Sequence, residues 1–413
     1  MGTKFLIKPF SFQVMAKPIG SHCNLNCTYC YYLEKAKLYK GNQVSMDEKL
    51  LENYIRQYVS VQQVPVVNFV WQGGEPCLLG IDFFKKAIEL QNKYAQGKRI
   101  ENSIQTNGSL LDESWAKFFK EHNILVGISI DGPEEIHDLH RSFKNNSPSF
   151  MHVMKGIELL HKYEVDFNTL TVVNRDNSRF PLEIYHFLKK IGSGYIQFIP
   201  IVERTYTGNN SHILSLVEPG EREAAITKWS VSPEDYGTFL IKIFDEWVTN
   251  DVGRYFIQQF DATLANWIGA NSGICEFSET CGDALIIELN GDVYSCDHYV
   301  YPEYKLGNIA DKSLFTMVQS DQQTKFGNDK LNNLPPDCIE CEYRFACHGG
   351  CPKHRFLEAS DNTSRLNYLC KAYKMFYSHV HPYMQFMGDE LTAKRSPANV
   401  MDWARTISDN QAV

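Results

Sequence analysis

No stretch of this sequence is long and apolar enough to cross a bilayer. The longest apolar runs, such as Ile124 to Ile130, fall far short of the roughly 20 residues that a membrane helix needs. The N-terminal segment MGTKFLIKPFSFQVMAKPIG is broken by Lys4, Lys8 and Lys17, so it lacks the apolar centre of an export signal. Position 6 is Leu, where a myristoylation signal requires Ser or Thr. These absences predict a cytoplasmic protein with no membrane partner. Basic residues are in deficit, 41 against 49 acidic, for a net charge of −8. That balance disfavours nonspecific nucleic-acid binding, which needs a phosphate-neutralising surface. Repeats of solenoid period and low-complexity tracts are also missing. Cysteine is absent from the whole stretch between Cys77 and Cys275. A disulfide framework distributed over the chain therefore fits poorly, and thiolates gathered for metal fit better.

What is present is a globular composition, with 43% hydrophobic and 22% charged residues among 413. That length suits one large α/β domain with a smaller appendage. From about 11 to 205, short apolar strands alternate with amphipathic helices. Strands are expected at Phe12–Lys17, Val66–Trp71, Ser103–Thr106, Leu125–Ile130, Asn168–Val173 and Tyr195–Pro200. Between the first two, Ser45-Met-Asp-Glu48 reads as a capping box ahead of an apolar face built from Leu50, Leu51, Tyr54, Ile55, Tyr58 and Val59. Six such units with right-handed crossovers make a partial (β/α)6 barrel, whose function gathers at the C-terminal strand ends. The expected division is a barrel over 1–233, a helical connection over 234–274, a Cys-rich domain over 275–370, and a C-terminal helix and tail over 371–413. Residues 206–232 read as a loop-rich connection, and Ser232-Pro-Glu-Asp235 as a helix start. Asn290-Gly291 between two apolar runs predicts a two-residue hairpin.

Cys23-Asn-Leu-Asn-Cys27-Thr-Tyr-Cys30 follows the first strand directly. Three thiolates on one tight loop can hold three irons of a 4Fe–4S cube and leave the fourth iron open to an outside ligand. Trp71-Gln-Gly-Gly-Glu-Pro76, Gln105-Thr-Asn-Gly108 and Ser129-Ile-Asp-Gly-Pro133 close the next three strands, and His137-Asp-Leu-His-Arg141 follows. Together these segments resemble the radical S-adenosylmethionine (SAM) superfamily. The resemblance implies that Cys23, Cys27 and Cys30 ligate the cluster, and that Gly73 and Gly74 approach the SAM amino group. It further implies that Ser129 contacts SAM, Arg141 pairs with its carboxylate, and Tyr29 and Val202 border the adenine.

Eight further cysteines fall between 275 and 370: Cys275, Cys281, Cys296, Cys338, Cys341, Cys347, Cys351 and Cys370. Eight thiolates satisfy two more clusters. Structural zinc is the competing reading for the C-x2-C pair, and the grouping of eight thiols is open from spacing alone. The pattern resembles the SPASM extension of radical SAM enzymes. That resemblance implies one cluster on Cys275, Cys281, Cys296 and Cys351 and another on Cys338, Cys341, Cys347 and Cys370. Cys77 reads as a plain core thiol.

Cys296-Asp297-His298 and Cys347-His-Gly-Gly-Cys351-Pro-Lys-His354 make the chain resemble the anaerobic sulfatase-maturating enzymes in particular, from the first strand through Cys370. The resemblance implies oxidation of a Ser or Cys in the sulfatase active-site motif to Cα-formylglycine, with Asp297 as the base. The implied cofactors are three 4Fe–4S clusters and SAM. The implied partners are a sulfatase polypeptide in an extended state and a reducing donor such as flavodoxin or ferredoxin. His298 and His354 read as packing or surface residues. The rival readings are another SPASM peptide modifier, forming thioether or carbon–carbon cross-links, and an electron-transfer or metal-binding scaffold.

Overall fold

The computed structural model describes residues 11–38, 44–207, 213–221 and 224–411, with side chains to residue 407. Strands β1 (Gln13–Lys17), β2 (Val66–Trp71), β3 (Arg99–Thr106), β4 (Leu125–Ser129), β5 (Phe167–Val173) and β6 (Tyr195–Pro200) pair in that order, all parallel. Between them run α1 (Glu48–Val61), α2 (Ile81–Tyr94), α3 (Glu113–Glu121), α4 (Glu134–Asp138), α5 (Phe150–Lys162) and α6 (Pro181–Lys190). The sheet stays open, so the barrel is partial, as expected. Strand β3 begins four residues before the predicted Ser103, because Arg99 to Asn102 continue the ladder opposite Val66 to Phe69.

Helix α1 buries Leu51, Tyr54, Ile55, Tyr58 and Val59, the face that the periodicity marks. Its cap differs from expectation. Asp47, not Ser45, precedes the first turn, and its carboxylate accepts the Leu50 N–H at 2.8 Å. Asp47 directly precedes Glu48, the position from which a side chain meets the orphan donors of the first turn. The Ser232 cap is present, its hydroxyl accepting the Asp235 N–H at 3.1 Å.

The 206–232 connection contains more order than its sequence announces: β7 (Arg204–Tyr206) and β8 (Ala224–Ile226) pair antiparallel. Beyond it, α7 (Pro233–Asn250), β9 (Phe256–Ile257) and α8 (Gln258–Trp267) follow, and β9 adds to β6. Strands β10 (Ala284–Glu288), β11 (Asp292–Tyr294) and β12 (Lys305–Asn308) then form a meander. This meander does not stand apart. β10 lies parallel to β1, from Gln13 opposite Ala284 to Lys17 opposite Glu288, so one ten-stranded sheet runs through both halves.

The β10–β11 turn corrects the two-residue expectation. Leu289, Asn290 and Gly291 separate the strands, the Gly291 N–H bonds to Glu288 O at 2.9 Å, and Gly291 alone takes a positive φ of 86°. A two-residue turn of the expected kind needs positive φ at both central positions. Here one glycine at the third position closes the loop.

The remaining elements are α9 (Leu314–Val318), α10 (Asp321–Asn332), α11 (Pro336–Ile339), α12 (Arg344–Cys347), the β13–β14 hairpin (Arg355–Glu358 and Arg365–Asn367), α13 (Cys370–Thr392) and α14 (Val400–Gln411). Helix α13 packs on α7 and α8 through Phe244, Phe260 and Phe376. No described helix is long and apolar enough to cross a membrane.

Candidate active site

The C-terminal ends of β1 to β6 open into a cavity of about 240 Å³. Side chains alternate along each strand, so Leu170 and Val172 of β5 and Ile199 of β6 face this space. The predicted residues Cys23, Cys27, Cys30, Tyr29, Gly73, Gly74, Ser129, Arg141, Val202 and Asp297 all line it. A chain segment some 270 residues beyond the triad thus shares one chamber with it.

The triad loop is fastened from several sides. Asn26 and Thr28 donate their N–H groups to Ser142 O at 2.8 Å and His140 O at 3.0 Å. Asn107 bonds Asn24 at 2.9 Å, and the Leu25 N–H points at Cys23 Sγ at 3.3 Å. Gly74 has a hard steric cause: a Cβ there would lie 1.9 Å from His22 O. Its N–H bonds Gly20 O at 2.7 Å, and that of Glu75 bonds His22 O at 2.8 Å. The glycines therefore dock the end of β2 against the triad loop itself. Glu75, which the sequence reading leaves without a role, is fully buried and accepts from Cys77 N, Thr106 Oγ1 and Asn107 N at 2.7–2.9 Å. It ties the ends of β2 and β3 together. Cys77 is buried in the core, its thiol 3.6 Å from Thr106 Oγ1.

Burial raises Cys23 to about 11 and Cys27 to about 12. Iron binding would have to displace the thiol protons that burial favours. Arg141 is buried beside them, donating Nη1 to Tyr29 OH at 2.9 Å, while Tyr29 bonds Asp131. Its Nε has no partner. Gln72 Oε1, His298 Nδ1 and His354 Nδ1 are likewise buried, unpartnered, and on residues lining the cavity. Orphaned buried donors and acceptors are costly, and a ligand carrying a carboxylate, an amine and a peptide backbone would satisfy them. The donor set thus fits SAM beside a polypeptide.

Asp297 sits opposite, on the segment after β11. Lys17 at the end of β1 forms an ion pair with it, the lysine side chain only 2% exposed. Tyr31 donates its hydroxyl to the other carboxylate oxygen at 2.5 Å. Burial pushes the Asp297 carboxyl up, but the Lys17 charge, the nearby His298 and these hydrogen bonds outweigh it and hold it at about 2. His298 stacks on Tyr31, with centroids 5.8 Å apart. His354 is a buried lining residue of the cavity and His298 a half-buried one. Lys17, Tyr31, Gln72 and Lys353 were also missed. Of these, only Gln72 carried a signal, through its place beside the glycines.

All twelve thiols are free. The eight later ones fall into two neighbourhoods. Desolvation of its thiol raises Cys275, an otherwise exposed residue, to about 11, with Cys281 adding to it; Cys296 is raised by burial, then by Cys351 and Cys275. Cys351 is raised to about 12 by burial, with Cys275 and Cys281 contributing. Cys338, Cys341, Cys347 and Cys370 together line a separate cavity of about 20 Å³. Among the described residues, no three His, Cys, Asp or Glu side chains are placed to hold a single metal ion.

Comparison with known proteins agrees. Residues 18–188 match the Radical SAM superfamily, and residues 275–342 match the SPASM iron–sulfur cluster-binding domain. The chain is 52% identical to a serine-type anaerobic sulfatase-maturating enzyme of Bacteroides thetaiotaomicron over 95% of each chain. It is 36% identical to a cysteine-type enzyme of Clostridium novyi, covering 89% of this chain and 94% of the relative. The solved structure of native anSMEcpe with bound AdoMet and Kp18Cys peptide superposes with a TM-score of 0.81 at 33% identity, covering 92% of this chain and 99% of that one. With its thiol triad and these relatives, the chain belongs to the anaerobic sulfatase-maturating enzymes of the radical SAM superfamily.

Proposed function

We propose that this enzyme oxidises a Ser or Cys side chain in the active-site motif of a sulfatase polypeptide to Cα-formylglycine. One observation carries the residue roles: an ionised, half-buried carboxylate, Asp297, shares a single chamber with the thiol triad Cys23, Cys27 and Cys30. When bound, the 4Fe–4S clusters and SAM supply hydrogen-atom abstraction from the target Cβ and one-electron transfer.

The chain's own residues do the rest. Cys23, Cys27 and Cys30 would hold the cluster that binds SAM. Arg141, through its free Nε, would bind the SAM carboxylate in the planar geometry that a guanidinium favours. Gly73, Gly74, Ser129, Tyr29 and Val202 would shape the rest of that pocket, with Gln105 holding Ser129 at 3.0 Å. Loss of one Cβ hydrogen, one electron and the hydroxyl or thiol proton yields the carbonyl or thiocarbonyl; the thiocarbonyl then hydrolyses. Asp297 takes that proton. Lys17 and Tyr31 keep it ionised and aimed, and Gln72, His298 and His354 offer hydrogen bonds to the peptide. Cys275, Cys281, Cys296 and Cys351 would hold one auxiliary cluster, and Cys338, Cys341, Cys347 and Cys370 the other. A flavodoxin or ferredoxin in a reducing cytoplasm is the proposed electron source.

The test is anaerobic incubation of the reconstituted enzyme with SAM, reductant and a peptide bearing Ser/Cys-x-Pro-x-Arg. The expected result is 5′-deoxyadenosine together with an aldehyde at that Ser or Cys, read by mass spectrometry. A peptide returned intact while 5′-deoxyadenosine accumulates would overturn the substrate assignment.

A further inference from the structure

Helix α10 breaks the usual rule for a packed amphipathic helix. Its buried residues are Gln323, Gly327 and Lys330, spaced i, i+4 and i+7 on one stripe where apolar side chains are ordinarily found. Each member grips a segment that carries a thiol. The Lys330 ammonium, on a residue with no exposed surface, donates to the carbonyls of Cys275 at 2.6 Å and Glu276 at 2.8 Å, and to that of Ser278. Gly327 O accepts the Cys281 N–H at 3.1 Å, and a Cβ on Gly327 would lie 2.5 Å from Cys281 O. Gln323 Nε2 donates to Gly282 O at 2.8 Å and Ser295 O at 3.3 Å, bracketing Cys281 and Cys296.

Three neutral carbonyls satisfy the ammonium's hydrogens but not its charge. No described carboxylate forms an ion pair with it, and its ionisable neighbours are the thiols of Cys281, Cys351 and Cys275 and the carboxyl of Glu276, each pushed by burial toward its neutral form. A buried cation without a counter-charge is expensive. A cluster held by four thiolates carries net negative charge and would provide the missing partner, and nearby charge is one of the determinants of cluster potential.

We infer that the Gln323–Gly327–Lys330 stripe positions Cys275, Cys281 and Cys296 around one auxiliary cluster, and that the Lys330 charge raises the one-electron potential of that cluster. These are positioning residues, and the inference rests on the proposed ligand set Cys275, Cys281, Cys296 and Cys351.

The experiment is an anaerobic redox titration of the reconstituted full chain, followed by electron paramagnetic resonance, with iron and sulfide quantified. Lys330→Met is expected to shift one couple to more negative values and leave the others in place, while Lys330→Arg stays near wild type. Gln323→Leu, which keeps the charge, is expected to lose one cluster to an iron chelator about fivefold faster, the effect of roughly one hydrogen bond. A fully loaded Lys330→Met with unmoved couples overturns the inference about charge. A Gln323→Leu variant as chelator-resistant as wild type overturns the positioning role, whether or not Lys330→Met loads. Cys281→Ala separates the two levels: if it retains every couple, the ligand set is wrong, whereas loss of one couple there beside an unmoved Lys330→Met defeats this inference alone.

Discussion

Replacing Lys17 by methionine removes the cation from the Lys17–Asp297 pair while keeping the length of its side chain. In the folded chain the Asp297 carboxyl lies at about 2, against an ordinary value of about 3.9. A depressed carboxyl contributes stability that is complete above the unfolded value and is lost as pH falls through the folded one. At neutral pH that contribution is about 2–3 kcal/mol. Without Lys17, burial is left to dominate and the carboxyl rises. Two consequences are expected in Lys17→Met: a thermal midpoint lowered by a few °C, and an acidic limb of formylglycine formation displaced upward in pH. The double variant Lys17→Met/Asp297→Asn should be less destabilised than the sum of the two single variants, because removing both partners spares the cost of an uncompensated charge. The assay is a double-mutant cycle on thermal midpoints of the reconstituted protein, with the pH profile measured alongside. Additive midpoints and an unmoved acidic limb would show that the pair does nothing for stability or for the base.

Asp297→Asn is expected to cleave SAM at a near-normal rate while aldehyde formation falls about 10²–10⁴-fold; normal product yield in the peptide assay would remove Asp297 as the base. Gly74→Ala places a methyl 1.9 Å from His22 O, so the triad should lose its iron and SAM cleavage should vanish while the later cysteines stay loaded, as iron analysis would show. Arg141→Met should weaken SAM binding about 10–100-fold, the worth of hydrogen bonds to a charged group, and equilibrium dialysis with wild-type affinity would refute its role.

The barrel was legible because its strands obey a simple constraint. Val66–Trp71 and Tyr195–Pro200 bury alternate residues and fill most of the remaining positions with apolar side chains, so each reads as a bounded apolar run and its limits match the structure. Arg99 and Glu101 in β3 carry the ladder at its rim, where charged side chains reach solvent and pair with each other at 2.7 Å, and such rungs look like loop. The thiol motifs were legible because their spacing is local. The surroundings of Asp297 were not: Lys17 and Tyr31 reach it only because β10 aligns with β1, and no periodicity in either segment records that pairing. The stripe on α10 was invisible for the opposite reason. Its sequence contains almost nothing apolar, so pattern reading takes its buried face for a solvated one.

The alignment of Gln13 with Ala284 also has a bearing on synthesis. A ribosome-bound chain that has completed all six barrel strands still lacks the neighbour that covers β1, since closing so distant a contact is slow and costs entropy before it rewards the chain. Throughout that interval the β1 edge of the sheet has no strand beside it. Residues 284–288 must therefore arrive before β1 is paired on both sides.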